Sequence, residues 1–188
     1  MAMSLIVGFA GAKGAGKTSA AQVLVNRGFV RWSFADPIRE MLVVFLAAYG
    51  IAEAEARVLL SDPYYKESGI PGIGKTPRCL MQTLGTEWGR KFVGGYVWVG
   101  LFGKRWAANP GLVVVDDVRF DNEADFIRSS GGQVIHILRN GLTGLDGHDS
   151  ESGIRVDGRD MVMDNDFGME RLQVLLNEWL DCIGVCGD

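Results

Sequence analysis

Eight residues near the start of the chain, Gly11-Ala12-Lys13-Gly14-Ala15-Gly16-Lys17-Thr18, have the types and the spacing of a phosphate-binding loop. Its glycines let main-chain N–H groups converge on phosphate oxygens, and a helix that begins behind the loop adds partial positive charge. Lys17 is placed to reach the β- and γ-phosphates of a nucleoside triphosphate, and Thr18 to ligate Mg²⁺. We therefore predict that Mg²⁺ and ATP bind here, on Gly11, Gly14, Ala15, Gly16, Lys17, Thr18 and Ser19.

Two neighbouring carboxylates follow an apolar run farther along the chain. Asp116 and Asp117 come directly after Leu112-Val113-Val114-Val115, which reads as a buried strand. A protein with a phosphate loop needs an acidic residue at the end of another strand to hold Mg²⁺ through water. Both aspartates meet this requirement, and the spacing alone leaves the choice between them open.

Cationic side chains are informative because phosphoryl transfer concentrates negative charge on both substrates. Arg119 follows the acidic strand by two residues, at the edge of the sheet where catalysis is expected. Its alternative role is a surface ion pair with Glu123. Arg78 and Gln82 are four residues apart and share a helix face, which suits a monophosphate and a base edge or, alternatively, a solvated surface.

The elements that must position these residues alternate between strand and helix. We predict strands at residues 5–10, 29–34, 112–115, 134–138 and 161–163, and helices at residues 17–26, 36–49, 77–89, 122–130 and 169–180. Asp36 is the expected N-cap of its helix and Thr76 that of the helix at Pro77. This alternation predicts an α/β fold of three layers, α/β/α, with a parallel sheet. We expect one kinase domain over residues 1–188, with a core at about 1–50 and 110–188.

Composition excludes several classes of protein. The chain has 188 residues, is 47% hydrophobic and carries a net charge of −4, so it is not expected to bind nucleic acid or an anionic membrane. Its strongest apolar run, residues 41–48, is too short to span a membrane, and the start of the chain lacks the basic region of a signal peptide. Cys79, Cys182 and Cys186 match no redox or zinc spacing. A cytoplasmic protein is expected.

Two further absences narrow the class of enzyme. The sequence has no Asn-Lys-x-Asp motif, which a GTPase needs for reading its base. At 188 residues the chain is smaller than most motors and AAA-type ATPases. With an arginine after the acidic strand, the sequence favours a small-molecule kinase.

The stretch Asp117-Val118-Arg119-Phe120-Asp121-Asn122-Glu123 resembles the deoxynucleoside monophosphate kinases of tailed bacteriophages. The resemblance continues, in order, through Phe34-Ala35-Asp36-Pro37-Ile38-Arg39, Thr76-Pro77-Arg78-Cys79-Leu80-Met81-Gln82, Leu84-Gly85-Thr86-Glu87, His148-Asp149-Ser150-Glu151 and Asp164-Asn165. It implies a monophosphate-kinase-like fold with an acceptor-binding insert at about residues 51–110 and a lid at about residues 139–160. Two features depart from the family: Asp116 stands where members commonly have a small hydroxyl residue, and residues 51–74 have no clear counterpart.

The resemblance also implies roles for individual residues. Arg119 and Arg139 become catalytic with Lys17, although Arg155 and Arg159 are alternatives to Arg139 in the lid. Asp117 becomes the metal residue, with Asp116 as competitor, and Asn165 lies near the adenine of ATP. His148 and Glu151 are expected to order the lid. The acceptor is expected to contact Lys13, Asp36, Ile38, Arg39, Arg78, Gln82, Gly85, Thr86, Trp98, Asp117, Arg119 and Glu123.

The implied reaction converts ATP and a deoxynucleoside monophosphate to ADP and a deoxynucleoside diphosphate, in the host cytoplasm if the protein comes from a phage. The rival enzyme is a dephospho-coenzyme A kinase, whose acceptor is a sugar hydroxyl. A nucleotide-binding module without an acceptor is a third hypothesis, which the set of Arg78, Arg119 and Arg139 disfavours. Trp88, Tyr96 and Trp98 are candidates either for stacking on a base or for core packing. The partners are expected to be small molecules, base preference is undetermined, and a homodimer is an open alternative to a monomer.

Overall fold

The computed structural model describes residues 3–141 and 154–185. The chain divides into two compact units, residues 1–34 with 103–188, and residues 35–102. The α-helices of the described part are α1 (Lys17–Val25), α2 (Asp36–Ala48), α3 (Glu53–Ser61), α4 (Pro77–Gln82), α5 (Val97–Ala108), α6 (Asp121–Ser129) and α7 (Met169–Cys182). Within that part, no helix is long and apolar enough to cross a membrane.

The first unit is built on a five-stranded parallel sheet, as the sequence predicts. Its strands are β1 (Leu5–Ala10), β2 (Val30–Trp32), β3 (Leu112–Val115), β4 (Gln133–Leu138) and β5 (Met161–Asp164). They are ordered β2-β3-β1-β4-β5, and every neighbouring pair is parallel. All five carboxyl ends therefore lie at one edge of the sheet, where ligands bind in open α/β folds.

Helices cover both faces of this sheet, which confirms the three-layer prediction. On one face, Val7 and Phe9 of β1 pack in a buried apolar cluster with Leu24 of α1 and Leu176 of α7. Side chains alternate between faces along a strand, so Gly8 points to the other face. A Cβ on Gly8 would lie 2.5 Å from Cδ1 of Ile127, which places α6 against that face.

The second unit contains α2, α3, α4 and the first half of α5, with a 3₁₀ turn at Tyr65–Glu67. Its buried core includes Leu46 and Leu60 and is completed by Trp98, whose Nε1 donates to the main-chain oxygen of Gly85 (2.7 Å). Gly89 accommodates the Trp98 ring, because a Cβ there would lie 2.3 Å from the indole.

Two local predictions in the second unit are wrong and one is confirmed. Ala35, not Asp36, is the N-cap of α2, because Asp36 already lies in the first helical turn and its Oδ1 accepts from Arg39 (2.9 Å). The helix from Pro77 does not end near Gly89, since α4 continues as a π-helix over Thr83–Val93. The cap at Thr76 is confirmed: its Oγ1 accepts from the N–H of Cys79 (3.1 Å).

Candidate nucleotide-binding site

The phosphate loop joins β1 to α1 at the carboxyl edge of the sheet. Gly11, Gly14 and Gly16 have φ angles of 137°, 83° and 107°, which favour glycine. At Gly11 the loop also passes so close to β4 that a Cβ would lie 2.3 Å from the carbonyl oxygen of Ile137. The backbone of the loop is thus held in one conformation by glycine geometry and by the neighbouring strand.

Lys17 lies across the loop that it follows. Its Nζ donates to the carbonyl oxygens of Gly11 (2.7 Å) and Ala12 (2.8 Å), which places an ammonium group over the concave side of the loop. Thr18 and Ser19 are exposed in the first turn of α1, and Lys13 and Gly14 are exposed in the loop. These groups supply cations, hydroxyls and a helix N-terminus at one place, a combination suited to a polyphosphate.

Asn165 braces the loop from the neighbouring strands. Its Nδ2 donates to the carbonyl oxygen of Ala15 (2.8 Å) and its N–H donates to that of Leu138 (2.8 Å). The residue is 5% exposed, and a Cβ on Gly16 would lie 2.5 Å from the Asn165 amide. Its buried Oδ1 has no hydrogen-bond partner within the described residues, and so remains an available acceptor.

Asp116 and Asp117 lie beside the loop because β3 is the neighbour of β1, with Gly8 opposite Val115. Asp117 Oδ2 accepts from Ser33 Oγ (2.6 Å), whereas Asp116 Oδ2 lies 3.9 Å from Nη1 of Arg31. Carboxylate and hydroxyl oxygens are the ligands that Mg²⁺ prefers, and it binds through few protein groups. The donor set of Thr18 and one aspartate therefore fits that ion, although no cluster of three or more acidic, His or Cys ligands occurs among residues 3–141 and 154–185.

Glu123 fixes the turn that carries Arg119. It is 3% exposed, and its Oε2 accepts from the main-chain N–H groups of Arg119 (2.9 Å) and Phe120 (3.3 Å). The carboxylate thus caps α6 and sets the direction of the exposed Arg119 at the edge of the sheet. Sequence reasoning placed Glu123 near the acceptor and missed this capping role, although Glu three residues after a helix start is its usual signal.

The three arginines predicted for the lid have different partners in the structure. Arg139 Nη1 donates to the carbonyl oxygen of Gly14 in the phosphate loop (3.4 Å). Arg155 pairs instead with Asp121 (3.2 Å) and Arg159 with Asp157 (2.8 Å). Beside the loop is a cavity of about 290 Å³, lined by Ala12, Ile137, Leu138, Arg139, Asn140, Asp164 and Asp166. His148, Glu151 and the rest of residues 142–153 in the predicted lid lie outside the described residues.

A buried ionic cluster, Arg128–Asp160–His136, lies in the first unit and was missed by sequence reasoning. Asp160 has a fully buried side chain and accepts from Arg128 Nη2 (2.6 Å) and bonds His136 Nε2 (2.8 Å). Burial raises the pKa of Asp160, but hydrogen bonds from Arg128, the Asp157 N–H and His136 outweigh it and lower the pKa to about 2. The feature of the sequence that could have indicated this cluster is His136, a single histidine within an apolar strand.

The remaining predicted residues belong to the second unit. Arg78 Nε donates to Glu67 Oε1 at the surface, and Gln82 lies one turn later, half-buried. Gly85 and Thr86 are buried, and a Cβ on Gly85 would lie 2.9 Å from Cδ1 of the buried Ile38. Trp98 is 1% exposed, which corresponds to the packing alternative that the sequence left open for it. Trp88 and Tyr96 are exposed by 42% and 70%.

Comparison with known proteins gives a consistent group of relatives. The family model described as deoxynucleotide monophosphate kinase matches residues 75–175. A putative deoxynucleotide monophosphate kinase of Acanthamoeba polyphaga mimivirus is 34% identical over 186 residues, which cover 88% of this chain and 91% of that protein. The deoxynucleotide monophosphate kinase of Escherichia phage RB69 is 34% identical over 50% of this chain and 41% of its own. The deoxynucleoside-5′-monophosphate kinase of Escherichia phage T5 is 25% identical over 81% of this chain and 86% of its own.

Proposed function

Because the chain belongs to the deoxynucleotide monophosphate kinase family, we propose that it transfers the γ-phosphate of ATP to a deoxynucleoside 5′-monophosphate. An oxygen of the acceptor phosphate forms a bond to the γ-phosphorus of ATP. The bond from that phosphorus to the β–γ bridging oxygen breaks, and ADP leaves with the electron pair. The products are ADP and a deoxynucleoside diphosphate, which supplies nucleotides for DNA synthesis.

The observation that carries the proposal is the phosphate loop with Lys17 lying across it. Lys17 already lies beside the loop, and it exchanges the carbonyl oxygens of Gly11 and Ala12 for the β- and γ-phosphates when the nucleotide binds. Arg139 already donates to the carbonyl oxygen of Gly14 in the loop, whereas Arg155 and Arg159 pair with Asp121 and Asp157. We therefore assign the transferring phosphoryl group to Arg139. Both cations lower the energy of the transition state by neutralising the charge that it spreads over the phosphoryl oxygens.

The metal and the base of ATP are assigned to separate groups. Thr18 and Asp117 would hold Mg²⁺, which when bound neutralises phosphate charge and orients the β- and γ-phosphates. The buried Oδ1 of Asn165, which has no hydrogen-bond partner among residues 3–141 and 154–185, supports a hydrogen bond from an amino group of the donor base. Ser33 holds Asp117 in place through its hydroxyl.

We propose that residues of the second unit bind the acceptor. Arg78 and Gln82 share a helix face there, and Arg78 can exchange its surface partner Glu67 for the acceptor phosphate. In the first unit we assign Arg119, held by Glu123, and Lys13 to phosphate binding. Residues 51–110 would form the acceptor-binding insert and residues 139–160 the lid of one kinase domain. Asp36, Ile38 and Arg39, with Gly85 and Thr86, would line the acceptor nucleoside.

The rival functions explain fewer of these features. A dephospho-coenzyme A kinase phosphorylates a hydroxyl, so the attacking group is not a second phosphate whose charge must be neutralised. A nucleotide-binding module without an acceptor needs fewer cations than Arg78, Arg119 and Arg139 provide. We propose the cytoplasm as the site of action and small molecules as the partners, with a homodimer as one possible assembly.

A coupled assay of ADP release tests this function. The purified chain is incubated with ATP, Mg²⁺ and a panel of deoxynucleoside monophosphates, ribonucleoside monophosphates and dephospho-coenzyme A. We expect turnover with one or more deoxynucleoside monophosphates and loss of turnover in a folded Lys17→Ala variant. Faster turnover with dephospho-coenzyme A than with every monophosphate would establish the rival.

A further inference from the structure

Arg31, in the middle of β2, connects two groups at the phosphate-loop edge of the first unit. Its Nη2 donates to the main-chain oxygen of Thr18 in the first turn of α1 (3.2 Å). Its Nη1 lies 3.9 Å from Oδ2 of Asp116, just after β3. The register that places Arg31 opposite Val114 brings these groups together. No role for Arg31 follows from the motif or from the proposed reaction.

The ion pair of Asp116 with Arg31 is partly shielded from solvent. The side chain of Asp116 is 16% exposed and that of Arg31 is 37% exposed, so solvent and salt screen this pair less than a fully exposed pair. The guanidinium offsets the negative charge of the Asp116 carboxylate, and its second contact, to the main-chain oxygen of Thr18, fixes where that charge is held.

We propose that Arg31 is a positioning residue that couples Asp116 to the first turn of α1 and keeps Asp116 out of the Mg²⁺ site. The metal is then left to Asp117 and to Thr18, whose backbone Arg31 holds. The inference rests on the proposed function, because it assumes a Mg²⁺-nucleotide at the phosphate loop. It explains how a second carboxylate is tolerated where a polyanion must bind: the charge of Asp116 is cancelled by a cation that lies within the same edge of the sheet.

A double-mutant cycle with Mn²⁺ as the probe tests the inference without using catalysis. Arg31→Met, Asp116→Asn and the double variant are titrated with Mn²⁺ in the absence of nucleotide, and free Mn²⁺ is followed by electron paramagnetic resonance. Arg27→Met is the charge-matched control, because Arg27 pairs with Asp181 on α7. Hydrogen exchange of the first turn of α1 reports the contact with Thr18.

We expect Arg31→Met to bind Mn²⁺ about tenfold more tightly than wild type, a change of about 1.4 kcal/mol, because Asp116 is then uncompensated. The second substitution, Asp116→Asn, should remove this gain. Asp116→Asn alone should bind Mn²⁺ up to about tenfold more weakly than wild type, because it leaves the charge of Arg31 uncompensated, whereas the double variant and Arg27→Met should bind Mn²⁺ as wild type does. Exchange in the first turn of α1 should be faster in the two variants that lack Arg31, and unchanged in Asp116→Asn and Arg27→Met. If Arg31→Met does not fold, Arg31→Lys replaces it. Lysine keeps the positive charge, so the Mn²⁺ affinity should be that of wild type. It lacks the forked guanidinium that contacts both Thr18 and Asp116, so exchange in the first turn of α1 should be faster.

Three results would overturn the inference: a double variant that binds Mn²⁺ more weakly than wild type, an unchanged affinity in Arg31→Met, or a gain that persists in the double variant. The first would make Asp116 a metal residue. Failure of the proposed function would appear elsewhere, as a wild-type chain that phosphorylates no deoxynucleoside monophosphate although the Mn²⁺ titrations of the variants give the expected pattern.

Discussion

Replacing Asp160 with alanine should destabilise the chain strongly, because its side chain is fully buried in the Arg128–Asp160–His136 cluster. The substitution leaves Arg128, whose side chain is 5% exposed, and His136, whose side chain is 6% exposed, without their shared carboxylate. Breaking a buried ion pair costs about 3–5 kcal/mol. Arg128 then keeps Asp125 (2.8 Å), whose side chain is 64% exposed, as a carboxylate partner, which places the expected cost toward the lower end of that range. For a chain of this size that cost lowers the midpoint of thermal unfolding by about 6–20 °C.

The assay is thermal and urea unfolding of the full chain, followed by circular dichroism. Asp157→Ala is the matched control: it lies in the same segment and pairs with Arg159 at the surface, so its midpoint should stay near that of wild type. A loss of less than about 1 kcal/mol in Asp160→Ala, the range of an exposed pair, would show that the cluster contributes no buried ion pair.

The stability that Asp160 contributes to the folded chain depends on pH. The pKa of Asp160 is lowered to about 2 in the folded chain, against about 3.9 in an unfolded chain, so its ionisation contributes about 2.5 kcal/mol of stability above pH ~5. This contribution is lost as the pH falls toward 2. The difference in unfolding free energy between wild type and Asp160→Ala should therefore shrink between about pH 5 and pH 2. A difference that stays constant over this range would mean that Asp160 is not ionised through these contacts.

Three further predictions concern the proposed reaction. Lys17→Ala should keep its circular dichroism spectrum and lose phosphoryl transfer, and wild-type turnover by this variant would exclude the assigned role of the loop. Glu123→Ala should lower kcat by about tenfold with little change in the KM for ATP, because two main-chain donors of the Arg119 turn lose their acceptor. Glu123→Gln keeps an acceptor oxygen and should restore most of kcat. Equal effects of both variants would contradict a positioning role. Arg78→Ala should raise the KM for the acceptor about tenfold or more and leave the KM for ATP nearly unchanged, and the reverse pattern would place Arg78 on the donor side.

The sequence predicted the core of the first unit well because its signals are local. The phosphate-loop motif and the strand at Leu112–Val115 were located directly, and the alternation of elements was enough to predict a parallel sheet. In the structure Gly8 of β1 lies opposite Val115 of β3, and this register places Asp116 and Asp117 beside the loop. Their position at the end of a neighbouring strand is the one that the sequence predicted.

The second unit was predicted less well because its elements depend on packing. Residues 51–110 carry no motif that marks α3 or α5, and the π-helix over Thr83–Val93 is an unusual continuation of α4 that no capping residue announces. Asp36 was predicted as an N-cap because aspartate is common at that position, but its carboxylate pairs with Arg39 one turn later. Partners far apart in sequence, such as Arg31 with Asp116 and Arg128 with Asp160, could not be found from spacing.

The central claim is that the acceptor is a phosphate group, and product identification tests it most directly. The chain is incubated with ATP labelled at the γ-phosphate, Mg²⁺ and a deoxynucleoside monophosphate that turns over in the coupled assay, and the products are separated and examined by phosphorus NMR. We predict that the label appears in the β-phosphate of a deoxynucleoside diphosphate, in amounts equal to the ADP released. Label found on a sugar hydroxyl, or only as inorganic phosphate, would contradict the account.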